Sequence, residues 1–349
     1  VSAAVTSFNF TADDSGATIR LHLSENPFGN SSSVRTAILE ELDRSHIYPD
    51  PDSTALRSRL AAVFHVDPSM VLVSNGCDEL VLLAALAFAG PQKRGVTTAA
   101  TFPGYRTSMT LTGASVDEVP LRDFRCDLDA LALSARDADA VFLCNPHNPT
   151  GSVASASALS RFLEDVTRGP ATPIIDEAYI EFCGGKTASA IDWIRGGGRA
   201  IVLRTLSKAY GIAGLRVGVA VGDLDSIGAL KRVACALPFR VNRFAQAAGL
   251  AAIDDPRHLT HVTESIREAR NRFCRELDDR GFLYVSSETN FVMVRLPMDT
   301  SAATQTLREH HRVLIRDCGP FGLPGWVRIS LGTDNDMMHL LRALESLRQ

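Results

Sequence analysis

The sequence predicts an α/β protein: a mainly parallel sheet covered by helices on both faces, followed by a smaller α+β lobe. Three observations carry this reading. Short, continuous apolar runs such as Ala140-Val141-Phe142-Leu143-Cys144 and Ile201-Val202-Leu203 have the composition of strands buried on both faces. Helical patterns separate most of these runs. Polar residues gather just past the carboxyl ends of the runs, where open α/β sheets bind ligands. A chain of 349 residues is long enough for a large core and more than one lobe.

Taken in order, the first ten residues read as an arm. Leu21-His22-Leu23 is a short strand running into the turn-rich Ser24-Glu25-Asn26-Pro27-Phe28-Gly29. Ser31 to Ser33 can cap a helix over Val34 to Asp43. His46 to Asp50 is extended, because Pro49 disfavours helix before it, and Ala55 to Phe64 is an amphipathic helix. Strand and helix then alternate. Met70 to Val73 feeds an apolar helix that runs to Ala89. Val96 to Ala99 precedes a helix from Phe102 to Thr112, and Ser115 to Val119 is the next strand. Ala140 to Cys144, Pro173 to Ile175, Ile201 to Leu203 and Val217 to Ala220 complete the sheet. Past Phe239 the pattern changes. Helices cover Ala245 to Ile253, Leu259 to Leu277, Ala302 to Glu309 and Met337 to Leu347. Strands cover Leu283 to Val285, Phe291 to Arg295, Val313 to Arg316 and Trp326 to Leu331. The expected division is residues 1–44 as arm and part of a small domain, 45–245 as a large domain, and 246–349 as the small carboxyl-terminal domain.

Composition excludes several function classes. A formal charge of −4 gives no basis for nucleic-acid binding. Seven scattered cysteines with no close C-x-x-C pair suit reduced thiols better than disulfides or a metal site. No secretory signal opens the sequence and no apolar run reaches membrane-spanning length, so a cytoplasmic enzyme is expected.

The chemistry centres on Lys208. The other lysines, Lys93, Lys186 and Lys231, read as solvated charges, whereas Lys208 follows a buried strand among small and hydroxyl residues. A desolvated lysine is a nucleophile for carbonyls; the alternative is a surface lysine at a strand end. Gly76-Cys77-Asp78 opens a helix whose free amides can hold a phosphate, or simply caps it. Thr205, Ser207 and Arg216 offer two hydroxyls and a guanidinium to close the same phosphate cup. Asp176 ends an apolar strand, where a carboxylate is costly unless paired. Tyr179 and Asn148 can donate to a ring hydroxyl, and Phe102 can stack on a ring or pack in the core. Arg328 in an apolar strand wants an anion, either a substrate carboxylate or a structural partner.

In order, Asn148-Pro149-Thr150-Gly151, Asp176-Glu177-Ala178-Tyr179 and Ser207-Lys208-x-x-Gly211-x-x-Gly214-x-Arg216-x-Gly218 resemble the fold-type I, aspartate aminotransferase-like pyridoxal-phosphate enzymes. Glu25-Asn26-Pro27-Phe28-Gly29, Tyr48-Pro49-Asp50, Ile315-Arg316-Asp317 and Arg328-Ile329-Ser330-Leu331-Gly332-Thr333 resemble their histidinol-phosphate aminotransferase branch. The resemblance runs from Leu21 to the end. It implies that Lys208 anchors pyridoxal 5'-phosphate covalently and shuttles the proton. Asp176 would pair with the pyridine nitrogen; Asn148 and Tyr179 would contact the ring hydroxyl. Gly76, Cys77, Thr205, Ser207 and Arg216 would hold the phosphate. Tyr48 would reach the cofactor of a second subunit in a homodimer with shared sites. Arg328 would take the substrate α-carboxylate, Arg316 the far end of the substrate, and Asn26 would also face it. No metal is implied.

The sequence departs from the branch pattern at three places. Ser24 stands where asparagine is usual, Arg240 and Arg243 add charge around Val241-Asn242, and no tyrosine precedes Tyr48. Either added arginine would favour a donor with an acidic or polar far end if it faced the pocket. The expected activity is transfer of an amino group between an amino acid or amino alcohol phosphate, histidinol phosphate-like or aromatic, and a 2-oxo acid. The alternative is a pyridoxal-phosphate cyclase, lyase, decarboxylase or oxidase on the same fold. A non-catalytic ligand sensor is the reading from another class.

Overall fold

The computed structural model describes residues 18–347; the arm before them lies outside the described residues. Strand β1 (Ile19–Leu21) and helices α1 (Ser32–Glu41) and α2 (Thr54–Phe64) come first. Then follow β2 (Val71–Ser74), α3 (Cys77–Phe88), β3 (Arg94–Thr98), α4 (Gly104–Leu111) and β4 (Ser115–Val119). A hairpin of β5 (Leu121–Arg122) and β6 (Arg125–Cys126) leads to α5 (Leu128–Ser134). The large lobe continues with β7 (Ala140–Cys144), α6 (Ala156–Thr167), β8 (Thr172–Asp176), α7 (Ile191–Arg195), β9 (Ile201–Thr205), β10 (Gly218–Gly222) and α8 (Leu224–Ala234). Helices α9 (Arg243–Ile253) and α10 (Pro256–Asp279) lead to β11 (Tyr284–Val285) and β12 (Phe291–Arg295). The chain closes with α11 (Thr300–His311), β13 (Val313–Asp317), β14 (Trp326–Ser330) and α12 (Asp334–Ser346).

Seven strands form one sheet in the order β2-β10-β9-β8-β7-β3-β4. All pairs are parallel except those made by β10, which runs antiparallel to β2 and β9. Every residue of β7 and β8 is buried, as a sheet covered on both faces requires. Burying each large apolar side chain there contributes roughly 1.5–3 kcal/mol. The second sheet, β1-β13-β14-β12-β11, belongs to the small lobe; β1 joins β13 in parallel and the other pairs are antiparallel.

The apolar cores divide the chain differently from the sequence expectation. Val34 of α1 and Ala245, Ala248, Ala252 and Ile253 of α9 pack in the core under the large sheet. The small-lobe core begins with Leu21 of β1 and resumes at Val262 of α10. The division therefore falls between α9 and α10, not at residue 245. Both α1 and α9 are apolar on the face they turn to the large lobe, and packing rather than chain order sorts them.

Candidate active site

The carboxyl ends of β7, β8 and β9, with the start of α3, meet the arginine-bearing strands of the small lobe around a cavity of about 360 Å³. Lys208, Asn148, Tyr179, Ser207, Arg216, Phe102, Arg316 and Arg328 line it, brought together from separate elements. Gly76, Cys77, Thr205 and Asp176 are not among the lining residues.

Lys208 leaves the end of β9 through a short turn. Its Nζ donates to the Leu23 carbonyl at 2.8 Å and lies 5.8 Å from the centre of the Tyr179 ring. Burial lowers its pKa to about 8, and the Arg328 guanidinium adds to the fall. Part of the population is thus a neutral amine near pH 8, which is what attack on a carbonyl needs. The other lysines are tied down elsewhere. Lys186 pairs with Glu288, Lys231 donates to the Ser69 carbonyl, and Lys93 donates to the Phe88 carbonyl. Lys93 and Lys186 are exposed and Lys231 is half-buried, so all three keep the solvent contact expected of them alongside these surface bonds.

Asp176 is the last residue of β8. Its Oδ2 accepts from the Tyr105 hydroxyl at 2.6 Å and its Oδ1 from the Ala178 amide at 3.0 Å. Burial pushes its pKa up, while those two hydrogen bonds pull it back. A buried carboxylate held this way is an acceptor for a cationic ring N–H. Tyr105 was missed in the sequence. It sits on the buried face of α4, stacked on Phe142 and edge-on to Phe102. A buried tyrosine hydroxyl needs a partner, and that need is the signal that could have found it.

The phosphate corner is built by close approach. Gly76 caps α3 with φ +86°, and a Cβ there would lie 2.2 Å from Arg216 Nη2. Gly218 of β10 lies opposite Ser74 and Thr205, and a Cβ there would lie 2.4 Å from the Gly76 carbonyl carbon. Only glycines let the turn, the strand and the guanidinium meet here. Arg216 reaches Asp78 at 2.7 Å and Ser207 Oγ at 3.4 Å. The Thr205 hydroxyl accepts from the Ser207 amide and shapes the turn. Cys77 donates its thiol to the Arg204 carbonyl, and burial raises its pKa, so it contributes backbone and not a thiolate. A cradle that any Cβ would fill, walled by a guanidinium and opened at a helix start, fits a phosphate group.

On the small-lobe side, Arg328 is 6% exposed. Its Nη1 donates to Asn148 Oδ1 at 2.5 Å and its Nη2 to the His22 carbonyl at 2.7 Å, while its Nε has no partner. Arg316 is the cross-strand neighbour of Arg328 and lies over the Phe321 ring. Burial lowers its pKa, and the charge of Arg328 lowers it further. These two guanidiniums share one wall of a cavity that Glu25 and Asp78 also line.

Several expected residues lie elsewhere. The Asn26 carboxamide is held by the Ala209 carbonyl and the Phe28 amide, and Asn26 does not line the cavity. It fixes the turn beside Lys208. Arg240 donates to the Val73 and Ala234 carbonyls. Arg243 pairs with Glu41 and donates to the Ile47 and Tyr48 carbonyls. Neither lines the pocket, so the argument for an acidic substrate from these two fails; each is drawn to unpaired backbone oxygens next to it. Tyr48 is 76% exposed and stacks on Phe239, away from this chain's own cavity. Among the described residues no cluster of His, Cys, Asp or Glu could hold a metal ion.

The buried carboxylate, the lowered lysine and the phosphate cradle together fit pyridoxal phosphate. Comparison with known proteins agrees. Residues 17–344 match the aminotransferase class I and II family. A histidinol-phosphate aminotransferase from Geobacillus sp. (strain WCH70) is 33% identical over 332 residues, covering 94% of this chain and 90% of that protein. The crystal structure of a Sinorhizobium meliloti histidinol-phosphate aminotransferase with pyridoxal-5'-phosphate superposes with a TM-score of 0.86 at 29% identity, covering 94% and 91% of the two chains. An L-threonine-O-3-phosphate decarboxylase from Porphyromonas gingivalis superposes with a TM-score of 0.82 at 26% identity, covering 95% and 99%. A match running nearly end to end, with the cofactor residues gathered as that chemistry requires, shows that this chain belongs to the class I and II aminotransferases and works with pyridoxal phosphate.

Proposed function

We propose that this enzyme takes its amino group from a donor with two negative charges to place, a phosphorylated amino alcohol of the histidinol phosphate kind or a dicarboxylic amino acid, and passes it to a 2-oxo acid. The observation that carries this reading is the pairing of Arg316 with Arg328 on the wall that faces Lys208. A cationic donor would meet a like-charge penalty there. The names of the relatives support the phosphorylated donor.

Bound pyridoxal phosphate supplies an aldehyde for amines and a ring that withdraws electrons from the substrate α-carbon. The chain's residues do the rest. Asp176, held by Tyr105, keeps the proton on the ring nitrogen. Asn148 and Tyr179 orient the ring hydroxyl. Ser207, Arg216 and the first amides of α3 hold the phosphate. Arg328, which lines the cavity, fixes the substrate through its remaining Nη–H donors. The Lys208 amine would then take the proton from the substrate α-carbon and deliver it to the carbon that was the cofactor's aldehyde, on the other side of the nitrogen.

The enzyme acts as a homodimer in the cytoplasm. Tyr48 reaches the partner subunit's site, and it is exposed together with the Phe239 ring stacked on it and its neighbour Ile47. All seven cysteines are free, as a reducing compartment leaves them, and no helix among the described residues is long and apolar enough to cross a membrane. Mixing Tyr48→Phe subunits with Lys208→Ala subunits tests the shared site: hybrids regain activity, because one of their two sites carries neither lesion. A fully active monomer in sedimentation contradicts it.

The test of the substrate class is a half-reaction screen that follows the cofactor's absorbance with histidinol phosphate, glutamate, phenylalanine and arginine. Histidinol phosphate or glutamate leads on this reading. Arginine as the best donor overturns it.

A further inference from the structure

Two acidic side chains line the cavity among the described residues, Asp78 and Glu25. Asp78 pairs with Arg216 inside it. Glu25 pairs with Arg20, which does not line it. The chemistry above uses Asp78 beside the phosphate corner and leaves Glu25 without a role.

The chain around Glu25 is pinned on both sides. The Leu23 carbonyl accepts from Lys208 Nζ at 2.8 Å, and the Asn26 carboxamide donates to the Ala209 carbonyl at 3.1 Å. The Ser24 amide donates to Ser330 Oγ at 2.8 Å, and the Ser24 carbonyl accepts from Asn290 at 3.0 Å. These bonds fix Glu25 between the Lys208 turn and the small lobe. Its neighbours follow from the sheet. Strands β1 and β13 are parallel, so both leave the sheet at the same end. Arg316 stands at that end of β13, and Glu25 follows that end of β1.

The carboxylate is a prepared acceptor. Arg20 donates to its Oε2 at 3.1 Å and to its Oε1 at 2.8 Å. A carboxylate has about four lone-pair sites, and this fork takes one on each oxygen. The side chain stays 37% exposed where it lines the cavity, so the remaining sites are open. Held by a fork, the group is oriented before a ligand arrives. A ligand in such a pocket has roughly 70–90% of its surface covered. A donor that gives its anion to Arg316 and Arg328 therefore meets Glu25 as well. The second carboxylate of a dicarboxylic amino acid brings no proton to it and meets a like charge. A far end with an N–H or O–H group satisfies it.

We propose that Glu25 is a specificity-determining residue whose carboxylate accepts a hydrogen bond from an N–H or O–H group at the far end of the donor. It thereby selects a phosphorylated amino alcohol bearing such a group over a dicarboxylic amino acid. The proposal rests on the reading that the two arginines hold the donor's anionic group.

The test is titration calorimetry of the cofactor-loaded enzyme at about pH 8, where imidazole is neutral. The probes are imidazolylpropyl phosphate, which is histidinol phosphate without its amino group, and phenylpropyl phosphate, which has the same shape and no N–H. Glu25→Ala weakens imidazolylpropyl phosphate about 10- to 150-fold, the loss of one hydrogen bond to an ionised group. Glu25→Gln keeps a neutral acceptor and loses less. Both variants hold phenylpropyl phosphate within about twofold of wild type. In parallel, Glu25→Ala lowers kcat/KM for histidinol phosphate by at least about tenfold, and kcat/KM for glutamate does not fall. Equal losses for the two phosphates overturn the role of Glu25 and leave the arginine subsite standing. The same selective loss in Arg20→Gln assigns the effect to the ion pair and also overturns it. Failure of both phosphates to bind the wild type overturns the subsite reading, and this proposal with it. Should neither Glu25 variant fold, wild type is titrated with imidazolylpropyl phosphate methylated on its N–H. Binding about tenfold weaker supports the proposal; unchanged binding overturns it.

Discussion

Gly76→Ala should weaken the cofactor's phosphate site from a position that touches no reacting atom. The backbone at Gly76 has φ +86° and ψ 167°, a region that only glycine occupies readily. Forcing alanine there costs about 1–3 kcal/mol of stability. The new Cβ would also stand 2.2 Å from Arg216 Nη2 and 2.8 Å from its Cζ, so the guanidinium must swing away. Its pair with Asp78 contributes little to folding, because Asp78 is largely exposed. Its charge-assisted bonds to a bound phosphate are worth roughly 1.5–3 kcal/mol, or about 10- to 150-fold in Kd. The assay is the dissociation constant of pyridoxal phosphate by equilibrium dialysis, with Tm measured alongside. Arg216→Ala serves as the comparison, since it removes the guanidinium without straining the backbone. The two variants should share one weakened Kd, and only Gly76→Ala should lose Tm. A Gly76→Ala protein with lowered Tm but unchanged Kd would refute the assignment of this corner to phosphate.

Other outcomes follow from the same geometry. Asp176→Asn keeps the fold, since the amide can still accept from Tyr105, but should lower kcat far more than Tm; near-normal turnover contradicts its role at the ring nitrogen. Tyr105→Phe removes the hydroxyl that holds Asp176 and should lower kcat by a smaller factor, consistent with about 1 kcal/mol for one hydrogen bond; an unchanged rate would mean that Asp176 needs no such support. Arg328→Lys should weaken every donor alike, because lysine lacks the planar fork, whereas Arg316→Ala should weaken some donors much more than others; half-reaction rates across the donor panel separate the two patterns. His147 and His22 are both held neutral in the fold, at about 3 and about 4, by burial above all. The unfolded chain protonates both near 6.5, so their stabilising contribution is present above pH 6.5 and is lost as pH falls toward 4. The loss is on the order of 3 kcal/mol for each group over that range. Urea unfolding of wild type and His147→Asn between pH 7 and 4 checks this; the variant's stability should fall less steeply.

Much of this architecture was legible because buried parallel strands carry an unmixed signal. Ala140 to Cys144 falls as expected, Asp176 closes a strand that could be read directly, and Lys208 lies just past another. The hairpin of β5 and β6 was not legible. Its turn residues Asp123 and Phe124 both have positive φ, which usually calls for glycine or asparagine. Phe124 is held there by its edge-on contact with Trp326 of the other lobe, a long-range term that no local pattern carries. Helices α5 to α7 were hidden for a related reason. They are short or open straight out of functional loops, and caps such as Asp127 and Ser155 set their starts more than periodicity does. At the site, the residues that hold a ligand by charge were readable from type and position. Those that act through another group were not. Tyr105 steadies Asp176 and the Leu23 carbonyl anchors Lys208; each depends on a contact across more than seventy residues. Arg240 and Arg243 went the opposite way, since a polar side chain near a motif can equally well satisfy backbone.

The central claim is that Lys208 and its surroundings move an amino group and leave the rest of the donor intact. A single turnover tests it most directly: cofactor-loaded enzyme is mixed with one equivalent of amino donor and no 2-oxo acid, and the products are counted. The claim predicts pyridoxamine phosphate and carbonyl product in equal amounts from wild type, and neither from Lys208→Ala. Release of carbon dioxide, inorganic phosphate or ammonia with the pyridoxal form regenerated would contradict it and would assign this chain to a decarboxylase or lyase instead.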